Sequence, residues 1–567
     1  MNKLELPALL LTLFLGACST GEKDNQKPNI ILILADDYGY TDTQGYAEHI
    51  TGVGKEKMYY ETPGIDRLMA EGVSFSYAYA NQLCSPTRAS ILTGKYAGRL
   101  GFTTATPLRN TYYNQNLEVP EGLYAHDVLI HEDKIDIEMA WINGKSNTAL
   151  PAGTEYDHGW DEVTIAEALE DYHSAFIGKW HVGGHGAEGY QPSDQGFHPI
   201  AYYDAGGSAY YNWRSHWNNR SKKNFPDMPQ EEWKIGYAGE ETGKEYLTDD
   251  LTTQALRYID ERADNPDEPF FLYFCHFAVH TPLQAIREDS LYFAAKSTLG
   301  WNGHDDPIYA GMFRSLDNSV EAILDKLKET GLEENTLVIF FSDNGGLDSR
   351  ITFGDISTVN APLRGGKACL TEGGIRVPLI FKWKGKINEG KWCDVSVDCT
   401  DLFPTILEAA GYDPDIYYKR LNIDGRSIMP LFDDLNNSKS EYDHDTRYWH
   451  YPFNVKMRSP YDGECLTPHS GIMEGDYKLI FDWHGRLYLY NVKEDVSETN
   501  NLVHQMPDKT RDLFSKLMTW LEQNVKDQYW PKLNPDYDPE KEVRKDAPFV
   551  NLYEAYRKGE DIMKMVR

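Results

Sequence analysis

The chain has 567 residues, 41% of them hydrophobic and 25% charged, enough for more than one hydrophobic core and too apolar for disorder throughout. Its formal net charge of −32 argues against nucleic acid as a partner, because phosphate contacts require a basic surface. The same charge opposes a polyanionic substrate unless cations are gathered inside one pocket, and it suits an exported protein in salty water, where surface charge is screened.

Residues 1–17 read as a targeting segment: Lys3 supplies a positive start, and Leu6 to Leu15 form a mostly apolar run. That run is too short for a bilayer, which takes about 20 residues. It ends Leu15-Gly16-Ala17-Cys18, which resembles the lipobox of bacterial lipoproteins. The resemblance implies cleavage before Cys18, acylation of Cys18 including palmitate, and anchoring to a membrane, the outer membrane, on its periplasmic or cell-surface side. An ordinary secretory signal with a chance cysteine is the alternative. Residues 18–27 then form a polar tether.

The continuous apolar run in Pro28–Ala35 has the pattern of a strand buried on both faces, and Phe270–Val279 and Thr336–Phe341 repeat it. Helical patterns over Glu61–Glu71, Thr164–Asp171, Thr248–Ala263, Ser315–Thr330 and Cys399–Gly411 alternate with these strands. Such alternation predicts an α/β domain, a mostly parallel sheet covered by helices on both faces, over residues 28–433. Past Leu431 the pattern changes. Tyr477–Trp483 and Arg486–Tyr490 around His484-Gly485 read as a hairpin, and Pro507–Val525 as an amphipathic helix. Residues 434–567 are therefore expected to form a small C-terminal subdomain, an antiparallel sheet with a helix.

The densest chemistry lies in Cys84-Ser85-Pro86-Thr87-Arg88-Ala89-Ser90-Ile91-Leu92-Thr93-Gly94. Ser85 is expected to cap a helix opening at Pro86, which places Cys84 at its positive end and Arg88 one turn away on the same face. Asp36-Asp37 and Asp343-Asn344 follow two of the buried strands. Ligands of open α/β sheets bind at carboxyl ends of strands, so both pairs should meet in one crevice as an all-oxygen site for a hard cation such as Ca²⁺, less well Mg²⁺. In Gly178-Lys179-Trp180-His181 an extended chain would aim Lys179 and His181 one way and Trp180 the other. His280 ends the Phe270–Val279 run, and Lys367 sits in Leu363-Arg364-Gly365-Gly366-Lys367, where glycines would let backbone approach a ligand closely. Rings and cations mix in Gly206–Trp217, with Arg214 and His216, and in Arg447–Pro452, with His450, as candidate carbohydrate contacts. With Cys18 and Cys84 set aside, Cys275, Cys369, Cys393, Cys399 and Cys465 make an odd set; Cys275 reads as core, and Cys393 and Cys399 are near enough to close a small loop.

Taken in order, these blocks resemble the formylglycine-dependent sulfatases of the alkaline phosphatase superfamily, bacterial polysaccharide sulfatases in particular. The carriers are Asn29–Gly39, Glu61–Leu68, Cys84–Gly94, Gly178–His181, Val279–Pro282, Phe341–Gly346, Leu363–Pro378, Gly475–Ile480 and Ser497–Leu502. The resemblance implies that a maturation enzyme oxidises Cys84 to formylglycine, whose hydrate attacks sulfur. It implies one Ca²⁺ held by Asp36, Asp37, modified Cys84, Asp343 and Asn344. It gives Arg88 the task of steadying the hydrate, Lys179 and Lys367 the sulfate oxygens, His181 the second hydroxyl, and His280 the protonation of the leaving sugar oxygen. Substrate expectations are marine algal polysaccharides such as ulvan, carrageenan or fucoidan, then glycosaminoglycans. A phosphonate or phosphodiester hydrolase and an inactive glycan-binding surface lipoprotein are the alternatives. Two departures stand out: Ala368 where a second glycine is usual, and a long stretch Leu108–Asn147 whose Tyr112, Tyr113, His126 and His131 would line a pocket rim or decorate a surface loop.

Overall fold

A computed structural model describes residues 26–103, 129–130, 162–182, 191–224, 235–348, 358–437, 441–452, 468–533 and 549–566. Cys18, Cys465 and nearly all of Leu108–Asn147, including Tyr112, Tyr113, His126 and His131, lie outside them.

Nine strands form the main sheet, and its centre reads Thr336–Ser342, Asn29–Ala35, Phe270–Cys275, His173–Lys179 across neighbouring positions. All three pairings among these four are parallel. Antiparallel strands come in away from them: Leu379–Trp383 pairs beside Thr336–Ser342, and Gly236–Tyr237 on the far edge. The sheet is thus mixed and mostly parallel. Burial on both faces explains the unbroken apolar runs. Ile30, Leu32 and Leu34 enter one core while Ile31, Ile33 and Ala35 enter the other, and Phe271 and Tyr273 oppose Leu272 and Phe274 in the same way.

Helices Leu247–Ala263 and Pro307–Thr330 cover one face. The second is longer than its apolar pattern suggested, because Asp306 accepts hydrogen bonds from Ile308 N and Tyr309 N and starts it eight residues before Ser315. Other bounds shrink. The strand beginning at Phe270 ends at Cys275, and Thr164–Asp171 yields only Ile165–Ala168.

Thr446–Tyr451, His469–Glu474, Tyr477–Asp482 and Arg486–Asn491 form a separate four-stranded antiparallel sheet. Helix Pro507–Asn524 lays Leu513, Phe514, Leu517, Met518 and Leu521 against it. The four central parallel strands all end on the same edge, and Asp36, Lys179, His280 and Asp343 lie at or within five residues of those ends.

Candidate active site

Cys84 is the first residue of helix Cys84–Thr93, with Leu83 in the extended cap position and no side-chain cap. Ser85 therefore lies inside the first turn instead of capping it, a correction that leaves Cys84 at the positive helix end. Every residue of the helix is buried; Thr87 and Ser90 bond Asn81, Thr93 bonds the Ala89 carbonyl, and Arg88 reaches the strand ends. Cys84 Sγ lies 3.4 Å from His181 Nδ1. Burial pushes the Cys84 thiol up, while Lys179 and Lys367 pull against it.

Arg88, wholly buried, donates through Nε (3.0 Å) and Nη2 (2.7 Å) to Asp343 Oδ2 and through Nη1 to the Lys179 carbonyl at 2.7 Å. One guanidinium thus fastens helix Cys84–Thr93 to two strand ends. Lys179 Nζ lies 2.6 Å from Asp36 Oδ2, and Lys367 Nζ 2.7 Å from Asp37 Oδ1. Asn344 Nδ2 donates to Asp37 Oδ1 at 2.8 Å, and Asp37 N donates to Asp343 Oδ1 at 3.2 Å. Burial raises Asp343 to about 6, with Asp36 adding to the rise and Arg88 opposing it. Burial raises Asp36 too, whereas Asp37 is held below the usual carboxylate range because the Lys367 ammonium and its neighbours outweigh its burial.

Two oxygens in this cluster, Asp36 Oδ1 and Asn344 Oδ1, are buried without a hydrogen-bond partner. A buried polar oxygen left bare is costly, and here a carboxylate oxygen and an amide oxygen at two neighbouring strand ends are both bare. One atom each from Asp36, Cys84 and Asp343, and one each from Asp36, Asp37 and His280, lie within 4.8 Å of one another. The donor set fits a hard divalent cation such as Ca²⁺. Three carboxylates, Asp36, Asp37 and Asp343, meet three fixed cations, Arg88, Lys179 and Lys367, so a divalent ion would turn a neutral cluster into an anion site. Within so acidic a chain, three cations are thus gathered in one place.

Lys179 is the last residue of its strand, but the chain is not extended beyond it. His181 has φ +54°, and this turn, not strand alternation, brings its ring to Cys84, while Trp180 packs among Phe176 and Phe197. His280 Nδ1 bonds the Thr281 carbonyl at 2.7 Å, which leaves Nε2 facing Asp37 Oδ2 at 3.7 Å. Burial and then Lys367 push His280 down to about 3 despite Asp37, so the resting ring is neutral. A Cβ at Gly206 would sit 3.1 Å from His181 Cε1 and Nε2, and one at Gly207 3.1 Å from His280 Nδ1. The Gly206-Gly207 pair packs its backbone on both histidines, a role the sequence reading missed by attending to the neighbouring aromatics; the doubled glycine was the available signal.

The glycines around Lys367 let backbone pack on backbone. A Cβ on Gly345 would lie 1.8 Å from the Gly373 carbonyl, and one on Gly374 2.4 Å from the Gly366 carbonyl. They let the Asp343–Gly346 turn and the 363–374 segment pack backbone against backbone, sealed by Lys367 N to Gly346 O (3.0 Å) and Gly345 N to Gly374 O (2.9 Å). Asn360, unremarked in the sequence, donates to both the Gly346 and Gly365 carbonyls. Ala368 adopts φ +75°, a conformation that favours glycine, and Lys367 still reaches Asp37.

Three expected substrate contacts are not brought into the cluster. Arg214 stacks on Trp213 and donates to the Ala238, Gly239 and Glu240 carbonyls and to Asp250. His216 lies exposed beside the Tyr203 ring. His450 is buried in the C-terminal subdomain between Ser470 Oγ and the Tyr529 carbonyl. For Arg214 and His450, packing claimed a side chain that composition alone had marked as available. Cys275, Cys393 and Cys399 are buried free thiols, so no small loop is closed between the last two.

The sulfatase family pattern matches residues 28–126 and 141–412, and the pattern described as N-sulphoglucosamine sulphohydrolase, C-terminal, matches 366–527. A "Sulfatase" of Formosa agariphila is 32% identical over 92% of this chain and 94% of its own. The N-acetylgalactosamine-6-sulfatase of Canis lupus familiaris is 32% identical over 74% of this chain and 69% of its own. Among solved structures, Ps i-CgsB in complex with k-i-k-neocarrahexaose superposes with TM-score 0.65 at 27% identity, covering 89% of this chain and 95% of that one. With family pattern, full-length relative and fold in agreement, the chain belongs to the sulfatase family and is an enzyme that hydrolyses sulfate esters.

Proposed function

We propose that the protein removes sulfate from galacto-configured sulfated oligosaccharides of the carrageenan type, using Cys84 matured to formylglycine. The observation that carries the chemistry is the convergence of Cys84, His181, Arg88, Lys179 and Lys367 on one buried cluster whose Asp36 and Asn344 oxygens lack partners. Support for the sugar comes from two relatives: the structure with a bound neocarrahexaose and the N-acetylgalactosamine-6-sulfatases. Carrageenan and N-acetylgalactosamine share the galacto configuration. Glycosaminoglycan sulfates are the second reading, on the strength of the latter relatives.

Formylglycine, formed by a generating enzyme, would supply a hydrated-aldehyde oxygen as nucleophile, and Ca²⁺ on Asp36, Asp37, Asp343 and Asn344 would supply positive charge. The residues of the chain do the rest. Lys179 and Lys367 offset negative charge on the sulfate oxygens, where preorganised cations stabilise the transition state by about 3–4 kcal/mol each. Arg88, fixed on Asp343, keeps position 84 in register with the strand ends. His181 Nδ1 sits where it takes a proton from the group at position 84. His280 Nε2 is the atom that would hand a proton to the sugar oxygen as the S–O bond breaks, giving the free alcohol and hydrogen sulfate from ester and water. Its depressed basicity means that it must gain that proton once the anionic substrate is beside it. A phosphonate monoester hydrolase of Agrobacterium radiobacter shares the fold at 18% identity and TM-score 0.52, which speaks to the fold alone. Turnover of defined galacto-sulfates against gluco-sulfates and phosphodiesters tests the reading; preference for a phosphodiester overturns it.

The proposal includes export as a lipoprotein acylated on Cys18 and held at the outer membrane. Metabolic labelling with a palmitate analogue tests it: label lost in Cys18→Ser supports it, and label absent from the native chain refutes it.

A further inference from the structure

Lys478 belongs to the C-terminal subdomain, on strand Tyr477–Asp482, yet its ammonium lies 2.7 Å from Glu372 Oε1 and 2.8 Å from Glu498 Oε1, all three side chains at most 1% exposed. Glu372 also accepts from Tyr79 OH (3.1 Å) and faces Arg376 Nη1 (3.5 Å). Its own backbone N donates to Glu498 Oε2 at 2.7 Å. Glu372 opens the turn Glu372–Ile375, and that turn holds the site: Gly373 N donates to the Arg364 carbonyl, and the Gly374 carbonyl accepts from Gly345 N, next to Asn344. The other end of the segment is tied to the same subdomain. Arg364 Nη1 donates to the Glu498 carbonyl and Tyr490 OH, and Ser497 Oγ donates to the Pro362 carbonyl. The segment 362–372, which presents Lys367 to Asp37, is thus gripped at both ends by C-terminal residues.

We propose that Lys478, through Glu372 and Glu498, is a positioning residue for Lys367, so that the C-terminal subdomain sets the anion-holding geometry of the active site. A charge buried between two carboxylates is a demanding arrangement, and a plain core would have served stability as well. Its place at the start of the Lys367 segment points to a positional task.

The inference rests on the sulfatase reading, and the test separates the two. Full-length matured protein is assayed for turnover of an aryl sulfate and for competitive inhibition by inorganic sulfate. Lys478→Met should weaken sulfate inhibition and lower kcat/KM at least tenfold. Because that variant removes the ammonium shared by two buried carboxylates and so costs stability, Lys478→Met/Glu498→Gln, which removes one charge of each sign, is measured beside it; folded with the native Tm, it should show the same weakened inhibition. In a Lys367→Met background the Lys478→Met change should add less than a twofold further loss, since its effect runs through Lys367. Additive losses, or a folded double variant with native sulfate inhibition, overturn the inference. Native protein that turns over no sulfate ester would instead defeat the underlying function.

Discussion

Lys367 Nζ and Asp37 Oδ1, 330 residues apart in the chain, lie 2.7 Å apart at the carboxyl edge of the sheet. That pair joins a strand end to a loop held by a second subdomain, and it sits between the expected cation site and the expected sulfate site. Neutralising Lys367 as Lys367→Met should therefore act on both. We expect kcat/KM for a sulfate ester to fall by about 10²–10³, the usual cost of one transition-state charge partner, with weaker competitive inhibition by free sulfate measured in parallel.

Cys84→Ala should abolish turnover and leave the fold and calcium binding intact, because Asp36, Asp37, Asp343 and Asn344 are positioned by strands that do not depend on the thiol. Calcium titration by calorimetry together with Tm checks this. Retained turnover would remove Cys84 from the mechanism.

His280→Ala should slow sulfate esters of sugars more than nitrophenyl sulfates, since a poor leaving group needs the proton and a good one does not. General acid assistance is worth roughly 10²–10⁴-fold, and the larger part of it should vanish for the sugar only. Equal losses on both substrates would take the acid role from His280.

How much of this was legible beforehand follows from what kind of signal each residue carries. Asp36, Asp343, Lys179 and His280 sit at or just past the ends of apolar runs, and periodicity alone located those ends. Arg214 and His450 carry no such signal; whether a cation faces a pocket or a carbonyl depends on tertiary neighbours, and Glu240, Asp250 and Tyr529 took them. The turn at His181 was hidden because a positive φ in a non-glycine residue leaves no mark in composition. Gly345, Gly373 and Gly374 were visible as glycines, but that each packs against another glycine-rich segment depends on tertiary neighbours.

Arg88→Met should destabilise the fold by about 3–5 kcal/mol, because it takes from the buried Asp343 carboxylate the guanidinium that donates to it twice. Denaturant unfolding measures it. Arg88→Lys, which keeps the charge but not the fork, should recover only part of the loss; full recovery would mean that charge alone matters there.

Asp42 supplies a pH test. Its carboxyl is pushed up to about 7 by burial, against hydrogen bonds from Thr358 and Gly39. Between its ordinary value of 3.8 and about 7 the folded chain keeps a proton that the unfolded chain has lost, so this group lowers stability as pH rises through that window and no further above it. Neighbouring His304, pushed down to about 4 by burial, gives the opposite slope. The readout is therefore the difference between Asp42→Asn and the native chain. The variant should gain stability relative to native from pH 4 to 7, on the order of a few kcal/mol at most. A constant difference would place the proton elsewhere.

The most direct test of the whole account is sulfate release by the full-length protein, matured by a formylglycine-generating enzyme and loaded with calcium, on a panel of defined sulfated oligosaccharides. The account predicts release from galacto-configured sulfates of the carrageenan type, abolished in Cys84→Ala. Release from no sulfate ester, or faster hydrolysis of a phosphodiester than of any sulfated sugar, would contradict it.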